Sequence, residues 1–209
     1  MNLNKFYFLH GFAGDPEDWD EVISHLKQFN CIKLSYPFTL PTDGVLIGYS
    51  MGGRVTLPSS LPKIVISGHP GLRTEEEKIA RKASEQLWIQ KLKTVSITQF
   101  FDEWYAQPLF DSLKKHPSFP LILERRIKKS PELLIQQIES HSLRNQPTLF
   151  KNTIFLHGEY DTVYKDLYKQ HKIPSLEIPK SGHACHVENS VDTAYQIKNL
   201  IGIFYNKQF

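Results

Sequence analysis

Cysteine is scarce in this sequence of 209 residues, which contains Cys31 and Cys185 and no others. Two cysteines do not make a disulfide framework, and reduced thiols in a cytoplasmic protein are the simpler interpretation. No apolar run approaches the ~20 residues that a membrane-spanning helix needs. The first residues also lack the long apolar region of a secretion signal. These absences predict a cytoplasmic protein that does not act at a membrane.

Patterns typical of several cofactors and partners are missing as well. The sequence has no Gly-rich phosphate loop and no glycine fingerprint for dinucleotides. His183, Cys185 and His186 lie close together, but no further ligand occurs at a suitable spacing, so no metal is expected. The net charge is +3, and the densest basic stretch, residues 125–129, is short, which argues against nucleic acid as a partner. We therefore expect no cofactor.

Short apolar segments that end in glycine or turn residues recur along the chain and are typical of buried strands. The predicted strands cover residues 6–9, 31–34, 44–48, 64–68, 153–156 and 175–178. Amphipathic helices are predicted at residues 18–28 and 191–204. This alternation indicates a mostly parallel sheet with helices on its faces.

The stretch between the fourth and fifth predicted strands is rich in helix signals. Its first helix begins with Thr74-Glu75-Glu76-Glu77, a capping-box pattern, and two later ones have proline near their start. The predicted helices cover residues 74–93, 97–105, 120–129 and 131–140. The sequence therefore predicts an α/β core of residues 1–71 and 149–209, interrupted by a helical cap of residues 72–148.

Residues 48–52, Gly-Tyr-Ser-Met-Gly, fit the pattern G-x-S-x-G. In the nucleophile elbow of α/β-hydrolases this pattern places a serine on a sharp strand-to-helix turn, where glycines let the backbone close without clashing. Here the pattern follows a predicted strand and precedes a helix start at residues 53–55. We predict an α/β-hydrolase fold with a mostly parallel sheet of about six strands and Ser50 at the elbow.

Activation of Ser50 needs an imidazole, and the imidazole needs a carboxylate to orient it. In this fold the order along the chain is serine, acid, histidine. Asp161 follows the fifth predicted strand and His183 follows the sixth, where loops reach the carboxyl edge of the sheet. We predict Ser50, Asp161 and His183 as a catalytic triad. Glu159 as the acid and His186 as the base remain alternatives.

The residues after the first predicted strand, His-Gly-Phe at 10–12, indicate half of an oxyanion hole. The backbone amide of Phe12 would pair with the amide of Met51, the residue after the serine. His10 itself is expected to pack in the loop.

Further motifs extend over nearly the whole chain. The most particular are Gly-Gly-Arg at 52–54, Gly-His-Pro-Gly-Leu at 68–72 and Trp-Tyr-x-Gln-Pro at 104–108. Gln-Pro at 146–147 and Gly-His at 182–183 accompany them. With these motifs the chain resembles the 2-succinyl-6-hydroxy-2,4-cyclohexadiene-1-carboxylate synthases of menaquinone biosynthesis, as a shortened member.

The resemblance implies a carbon–oxygen lyase. Its substrate would be 2-succinyl-5-enolpyruvyl-6-hydroxy-3-cyclohexene-1-carboxylate, a small polycarboxylate from which pyruvate is eliminated. Ser50 would abstract the proton. The residues that the resemblance assigns to the substrate pocket are Arg54, Arg81, Arg126, Trp104, Tyr105 and Tyr49. Guanidinium groups suit this role because they bind carboxylates through two hydrogen bonds and remain charged.

The chain also departs from the family. Residues 35–43 alone separate the second and third predicted strands, where the family has a longer loop and a helix. One sheet face is therefore expected to be thinly covered, and the protein is expected to be a monomer or a homodimer. Two other functions stay open. One is a carboxylesterase, such as a pimeloyl-carrier-protein methyl ester esterase of biotin synthesis, and the other is a catalytically silent fold.

Overall fold

A computed structural model describes residues 4–146 and 150–206, with the backbone alone at residues 203–206. Its strands, in chain order, are β1 Lys5–Leu9, β2 Asn30–Leu34, β3 Val45–Tyr49, β4 Lys63–Ile66, β5 Thr153–Gly158 and β6 Ser175–Ile178. They form one sheet in the order β2-β1-β3-β4-β5-β6. Every neighbouring pair runs parallel. The predicted α/β fold with a six-stranded parallel sheet is confirmed.

Helices connect these strands and cover the sheet. In chain order they are α1 Asp20–Ser24, α2 Met51–Thr56, α3 Glu75–Thr94, α4 Ile97–Tyr105, α5 Asp111–Lys115, α6 Phe119–Arg126, α7 Pro131–Ser140, α8 Thr162–Gln170, α9 Cys185–Glu188 and α10 Ser190–Asn206. Two short helices, α5 and α9, and the longer α8 were not predicted from the sequence. The side chain of Phe204, at the end of the predicted last helix, lies outside the described residues.

Alternate residues of the inner strands β1, β3, β4 and β5 belong to apolar clusters on opposite faces of the sheet, because successive side chains in a strand point to opposite faces. Phe6 and Phe8 of β1 belong to the larger core, together with Trp19 and residues of α10. On the other face, Phe155 of β5 packs with Tyr168 of α8. Burial on both faces is what a parallel sheet requires.

Beside the short connection between β2 and β3, one face of the sheet carries a small cluster of its own, and the expected thin cover of that face stays a prediction. Here Leu46 packs with Tyr7 and Leu61 in a small separate cluster. Ile32 and Leu34 of β2 lie against that cluster and remain only partly buried.

Helices α3 to α7 occupy the chain between β4 and β5. The capping box at the start of α3 is formed, since the Glu77 amide donates to Thr74 Oγ1 at 3.2 Å and the Thr74 amide donates to Glu77 Oε2 at 3.3 Å. These helices share an aromatic core of their own, which includes Phe100 and Phe101 and also contacts Ala13. The division at residues 148 and 149, and Pro147 of the Gln-Pro motif, lie outside the described part of the chain. The cap boundaries therefore stay a prediction.

Glycine at position 52 lets α2 approach β1 closely. A β-carbon on Gly52 would lie 2.5 Å from the carbonyl oxygen of Leu9 and would also collide with that of His10. Both obstacles are backbone atoms, which cannot rotate away as a side chain can.

We expect Gly52→Ala to lower the free energy of unfolding by roughly 2–3 kcal/mol or more, because overpacking against backbone forces the helix off the sheet. Gly202→Ala is the matched control. Gly202 lies in α10 with open space around its Cα. There the substitution should stabilise by about 0.5–1 kcal/mol through helix propensity. Thermal or urea unfolding measures both, and equal stability of the two variants would contradict the close-packing argument.

Candidate active site

Ser50 lies at the turn between β3 and α2 with φ of 51° and ψ of −113°. A left-handed conformation is rare for a residue with a side chain, and such strain typically costs on the order of 1–3 kcal/mol. The surrounding backbone holds it in place. The Ser50 amide donates to the Ile66 carbonyl at 2.8 Å, and the Arg54 amide donates to the Ser50 carbonyl at 3.1 Å. This is the sharp turn that the glycine pattern predicts.

Asp161 is buried at the start of α8, directly after β5. Its Oδ1 accepts a hydrogen bond from the Tyr164 amide at 3.2 Å. Its Oδ2 accepts from Ser67 Oγ at 3.0 Å and lies 2.9 Å from His183 Nδ1. Burial alone would raise the pKa of this carboxyl, but the hydrogen bonds that it accepts, the one from His183 foremost, outweigh burial and lower the pKa. Asp161 is therefore an ionised acceptor.

An ionised Asp161 determines the proton on His183, since Nδ1 must then donate and Nε2 is left as the acceptor. The imidazole is buried between aromatic rings, with the Tyr164 ring at 4.8 Å and the Phe110 ring at 5.7 Å. His183 and Ser50 line the same cavity. No hydrogen bond between their side chains is present among the described residues, and such bonds commonly tighten only when a substrate binds.

The alternative acid and base occupy different surroundings. Glu159 is exposed, and its Oε2 accepts from the Lys180 amide at 2.7 Å. His186 is buried between the rings of Trp19 and Tyr49, at 4.5 and 4.2 Å. Burial lowers the pKa of His186 to about 3. Neither residue lines the cavity that holds Ser50 and His183. The geometry therefore favours Asp161 and His183.

That cavity has a volume of ≈ 490 Å³ and combines an aromatic wall with basic groups. Phe12 and Met51, the residues of the predicted oxyanion hole, line it beside Ser50. Met51 is the first residue of α2, so its amide has no partner within the helix. The remaining wall includes Trp88, Trp104, Leu109, Phe110, Ile138 and Leu143.

Arg54 reaches into this cavity from α2. Its Nη1 donates to the His141 carbonyl at 2.8 Å and lies 3.5 Å from Gln146 Oε1. Among residues 4–146 and 150–206, no carboxylate forms an ion pair with Arg54. Burial, together with the charge of Arg81, lowers the pKa of Arg54 to about 10. The guanidinium is still cationic near neutral pH and lacks a counter-ion.

Arg81 lines the same cavity but has a partner. Its Nε donates to Glu85 Oε1 at 2.7 Å, one turn further along α3. The buried Glu85 also accepts from Ser142 Oγ at 2.6 Å and from the Leu143 amide at 3.0 Å. Glu85 thus joins Arg81 to the turn that follows α7. The sequence analysis missed Glu85, although its four-residue spacing from Arg81 is typical of helical ion pairs.

Arg126 lies elsewhere. It does not line the larger cavity but a smaller one of ≈ 40 Å³ that also touches Ser50. Its Nη1 donates to Asp15 Oδ2 at 2.6 Å, and its Nη2 donates to Asp18. Tyr49 and Tyr105 line only this smaller cavity, whereas Trp104 lines both. The structure therefore brings Arg54, Arg81 and Trp104 to the larger cavity and places the other predicted pocket residues behind it.

Two further observations concern the part of the chain that the structure describes. No group of three or more His, Cys, Asp or Glu side chains there could hold a metal ion. No helix there is long and apolar enough to cross a bilayer.

Comparison with known proteins places the chain in a family. No family model matches it. The 2-succinyl-6-hydroxy-2,4-cyclohexadiene-1-carboxylate synthase of Escherichia coli O1:K1 / APEC is 30% identical over 221 residues, which cover 87% of this chain and 87% of that protein. The chain belongs to this synthase family. A Haemophilus influenzae protein provisionally named for the same activity is 30% identical over 237 residues, covering 93% of this chain and 96% of that protein.

The chain is shorter than the Haemophilus relative but has the fold of a solved MenH structure. The alignment of 237 positions is longer than the 209-residue chain, so this member lacks segments that the Haemophilus protein carries. The solved structure of MenH from S. aureus superposes with a TM-score of 0.84 at 22% identity, covering 97% of this chain and 95% of that one. At that identity the similarity shows the fold, which the two chains share over nearly their whole length.

We expect Asp161→Asn to slow phosphonylation of Ser50 by a serine-directed fluorophosphonate by roughly 10³–10⁴-fold, because the amide neither orients the neutral imidazole correctly nor stabilises its cation. Glu159→Gln is the matched control and should label at the wild-type rate. The rate of label incorporation, followed by intact-mass spectrometry, measures both. Slow labelling of Glu159→Gln with normal labelling of Asp161→Asn would make Glu159 the acid.

Proposed function

We propose that the protein is a lyase of menaquinone biosynthesis that eliminates pyruvate from 2-succinyl-5-enolpyruvyl-6-hydroxy-3-cyclohexene-1-carboxylate, giving 2-succinyl-6-hydroxy-2,4-cyclohexadiene-1-carboxylate. Membership of the synthase family supports this reaction. The main structural support is Arg54, a partly buried cation in the cavity of Ser50 and His183 that has no counter-ion among the described residues. A substrate with several carboxylates supplies the missing negative charge.

In the proposed reaction Ser50 acts as the base. Its hydroxyl proton passes to Nε2 of His183, whose Nδ1–H remains hydrogen-bonded to Asp161. The serine oxygen then takes a ring proton of the substrate. The electrons of the broken C2–H bond form a double bond between C2 and C3, the existing C3–C4 double bond shifts to C4–C5, and the bond from C5 to the enolpyruvyl oxygen breaks. The departing enolate of pyruvate takes at carbon the proton held on Nε2 of His183 and becomes pyruvate. No acyl-enzyme is required.

Negative charge develops on the substrate as the proton is removed. Hydrogen-bond donors that are already held in position stabilise this charge. Phe12 and Met51 line the cavity next to Ser50, and their backbone amides are the proposed donors. Arg54 and Arg81 are the proposed partners of the substrate carboxylates. The aromatic wall, with Trp104, suits the apolar part of the ring.

The same geometry gives less support to the other two predicted functions. A catalytically silent fold would not need a buried Asp161–His183 pair beside a strained serine. A carboxylesterase for neutral esters would use the triad but would leave Arg54 without a partner. The cytoplasmic location and the monomeric or homodimeric state stay predictions.

Purified protein incubated with the enolpyruvyl substrate should release one pyruvate per molecule of substrate, measured by a coupled enzymatic assay for pyruvate. Ser50→Ala should reduce the rate by about 10³-fold or more, because it removes the base. Hydrolysis of short acyl esters without any pyruvate release would overturn the lyase and favour the esterase.

Arg54→Met should reduce kcat/KM for this substrate by about 10²-fold or more, since a charge-assisted pair with a carboxylate contributes about 3 kcal/mol in a buried site. Its thermal midpoint should equal or exceed that of the wild type, because a desolvated cation without a counter-ion is removed. Arg144→Met is the matched control, because Arg144 lines neither cavity. A strongly destabilised Arg54→Met with normal kcat/KM would contradict a substrate role for Arg54.

A further inference from the structure

The loop of residues 10–15, which follows β1 and carries Phe12, is held in an unusual conformation. Ala13 has a φ of 55°, in the left-handed region. A β-carbon on Gly14 would lie 2.8 Å from the His10 side chain, so the turn closes tightly. Within the loop, the Gly14 amide donates to the Gly11 carbonyl at 3.0 Å. His10 Nδ1 also lies 2.8 Å from the Gly11 carbonyl. Both of these contacts end on Gly11, and further hydrogen bonds and ion pairs to the loop come from the helices between β4 and β5.

Gln137 of α7 gives the first of these contacts. Its Oε1 accepts a hydrogen bond from the Ala13 amide at 2.9 Å. The side chain is 1% exposed, so water does not compete for this bond. The bond lies one residue from Phe12 and restrains the peptide that follows the Phe12 amide.

Arg126 of α6 gives the second. Its two terminal nitrogens divide between Asp15 and Asp18, which are three residues apart. The same two carboxylates close a capping box around the turn Pro16–Trp19, where the Asp15 amide donates to Asp18 Oδ2 at 3.1 Å. Arg126 therefore binds the end of the loop at both carboxylates that shape it.

Two neighbouring cations bind the same two carboxylates, those of Asp15 and Asp18. Arg125 Nη2 donates to Asp18 Oδ1 at 2.7 Å, and Lys129 Nζ donates to Asp15 Oδ1 at 2.5 Å. The pKa of Asp18 is lowered, because the charge of Arg126 and the hydrogen bonds outweigh the effect of burial, which would raise it. Asp18 and Arg126 are both almost fully buried. Buried charges of this kind are costly unless paired, so the pair persists as a unit.

The same pairing argues against a direct contact between Arg126 and a substrate carboxylate. Both ends of its guanidinium fork already bind carboxylates, and the residue does not line the larger cavity. The small cavity that it does line is bounded by Gly11, Phe12 and Ser50, which places the ion pair directly behind the proposed oxyanion hole.

We propose that Arg126 and Gln137 are positioning residues, which hold the loop of residues 10–15 so that the Phe12 amide faces the oxyanion at Ser50. This inference rests on the proposed role of Ser50. On this proposal the helices between β4 and β5 do more than cover the substrate. They also hold the loop that supplies the Phe12 amide.

The test uses an uncharged fluorophosphonate, which has no carboxylate for an arginine to bind. Ser50 Oγ attacks phosphorus, fluoride leaves, the serine proton passes to His183, and the phosphoryl oxygen occupies the oxyanion hole. A residue that only binds substrate carboxylates leaves this labelling rate unchanged. A residue that positions the Phe12 amide changes it.

We expect Arg126→Met to lower the labelling rate by about 10-fold or more, since loss of one oxyanion donor typically costs 10²–10³-fold. Gln137→Met should lower it in the same direction, and Arg126→Lys should recover part of the loss. Lys128→Met is the matched control, because Lys128 is exposed and pairs only with Glu124. Rates are compared at a temperature where circular dichroism shows each variant folded. If Arg126→Met does not fold, Gln137→Met, which loses one neutral hydrogen bond, decides the question.

A double-mutant cycle distinguishes the two roles of Arg126 further. Asp18→Asn should slow labelling about as much as Arg126→Met, and the double variant should be no slower than either, because the two residues act as one unit.

Wild-type labelling rates in folded Arg126→Met and Gln137→Met would overturn the proposal. So would a raised KM for the enolpyruvyl substrate in Arg126→Met with unchanged labelling, or a wild-type protein that does not label. A wild type that labels but releases no pyruvate refutes the lyase function alone.

Discussion

The close approach of α2 to the sheet is the constraint on which the site depends. Glycine at positions 48, 52 and 53 lets the backbone of the elbow pass within contact of β1 and of its own strand. That contact forces Ser50 into its left-handed conformation and starts α2 beside the end of β1. As a consequence the Met51 amide and the loop after β1 lie on either side of one serine. A helix held a methyl group further away would separate the two proposed oxyanion donors from each other.

A second set of contacts comes from the helices between β4 and β5. Three of them reach the site in different ways: α3 through Arg81 and Glu85, α6 through Arg126, and α7 through Gln137. Each contact is buried or half-buried and involves hydrogen bonds that water does not easily replace. The inserted helices and the sheet therefore form one functional unit, although their apolar cores are separate clusters.

Much of this could be predicted from sequence, and the reasons are physical. Strands such as β1 and β3 are short apolar segments bounded by turn residues, and helices such as α4 and α7 show a clear periodicity, so local patterns suffice. The elbow and the order of Ser50, Asp161 and His183 follow from the chemistry of the fold. Helix α8, Thr162–Gln170, was missed because its apolar residues are few, although Tyr164, Leu167 and Tyr168 recur at helical spacing. The partners of Arg126 lie more than 100 positions away, at Asp15 and Asp18. No local pattern indicates that pairing, so its buried ion pair could not be expected.

Gln146 faces Arg54 with a neutral amide, and its Nε2 donates to the His69 carbonyl at 2.7 Å. A carboxylate of the same length at this position would give Arg54 an internal counter-ion. An internal ion pair of that kind would occupy the guanidinium that we propose for a substrate carboxylate. The amide at position 146 therefore leaves the charge of Arg54 uncompensated among the described residues, which is what the proposed binding of a substrate carboxylate requires.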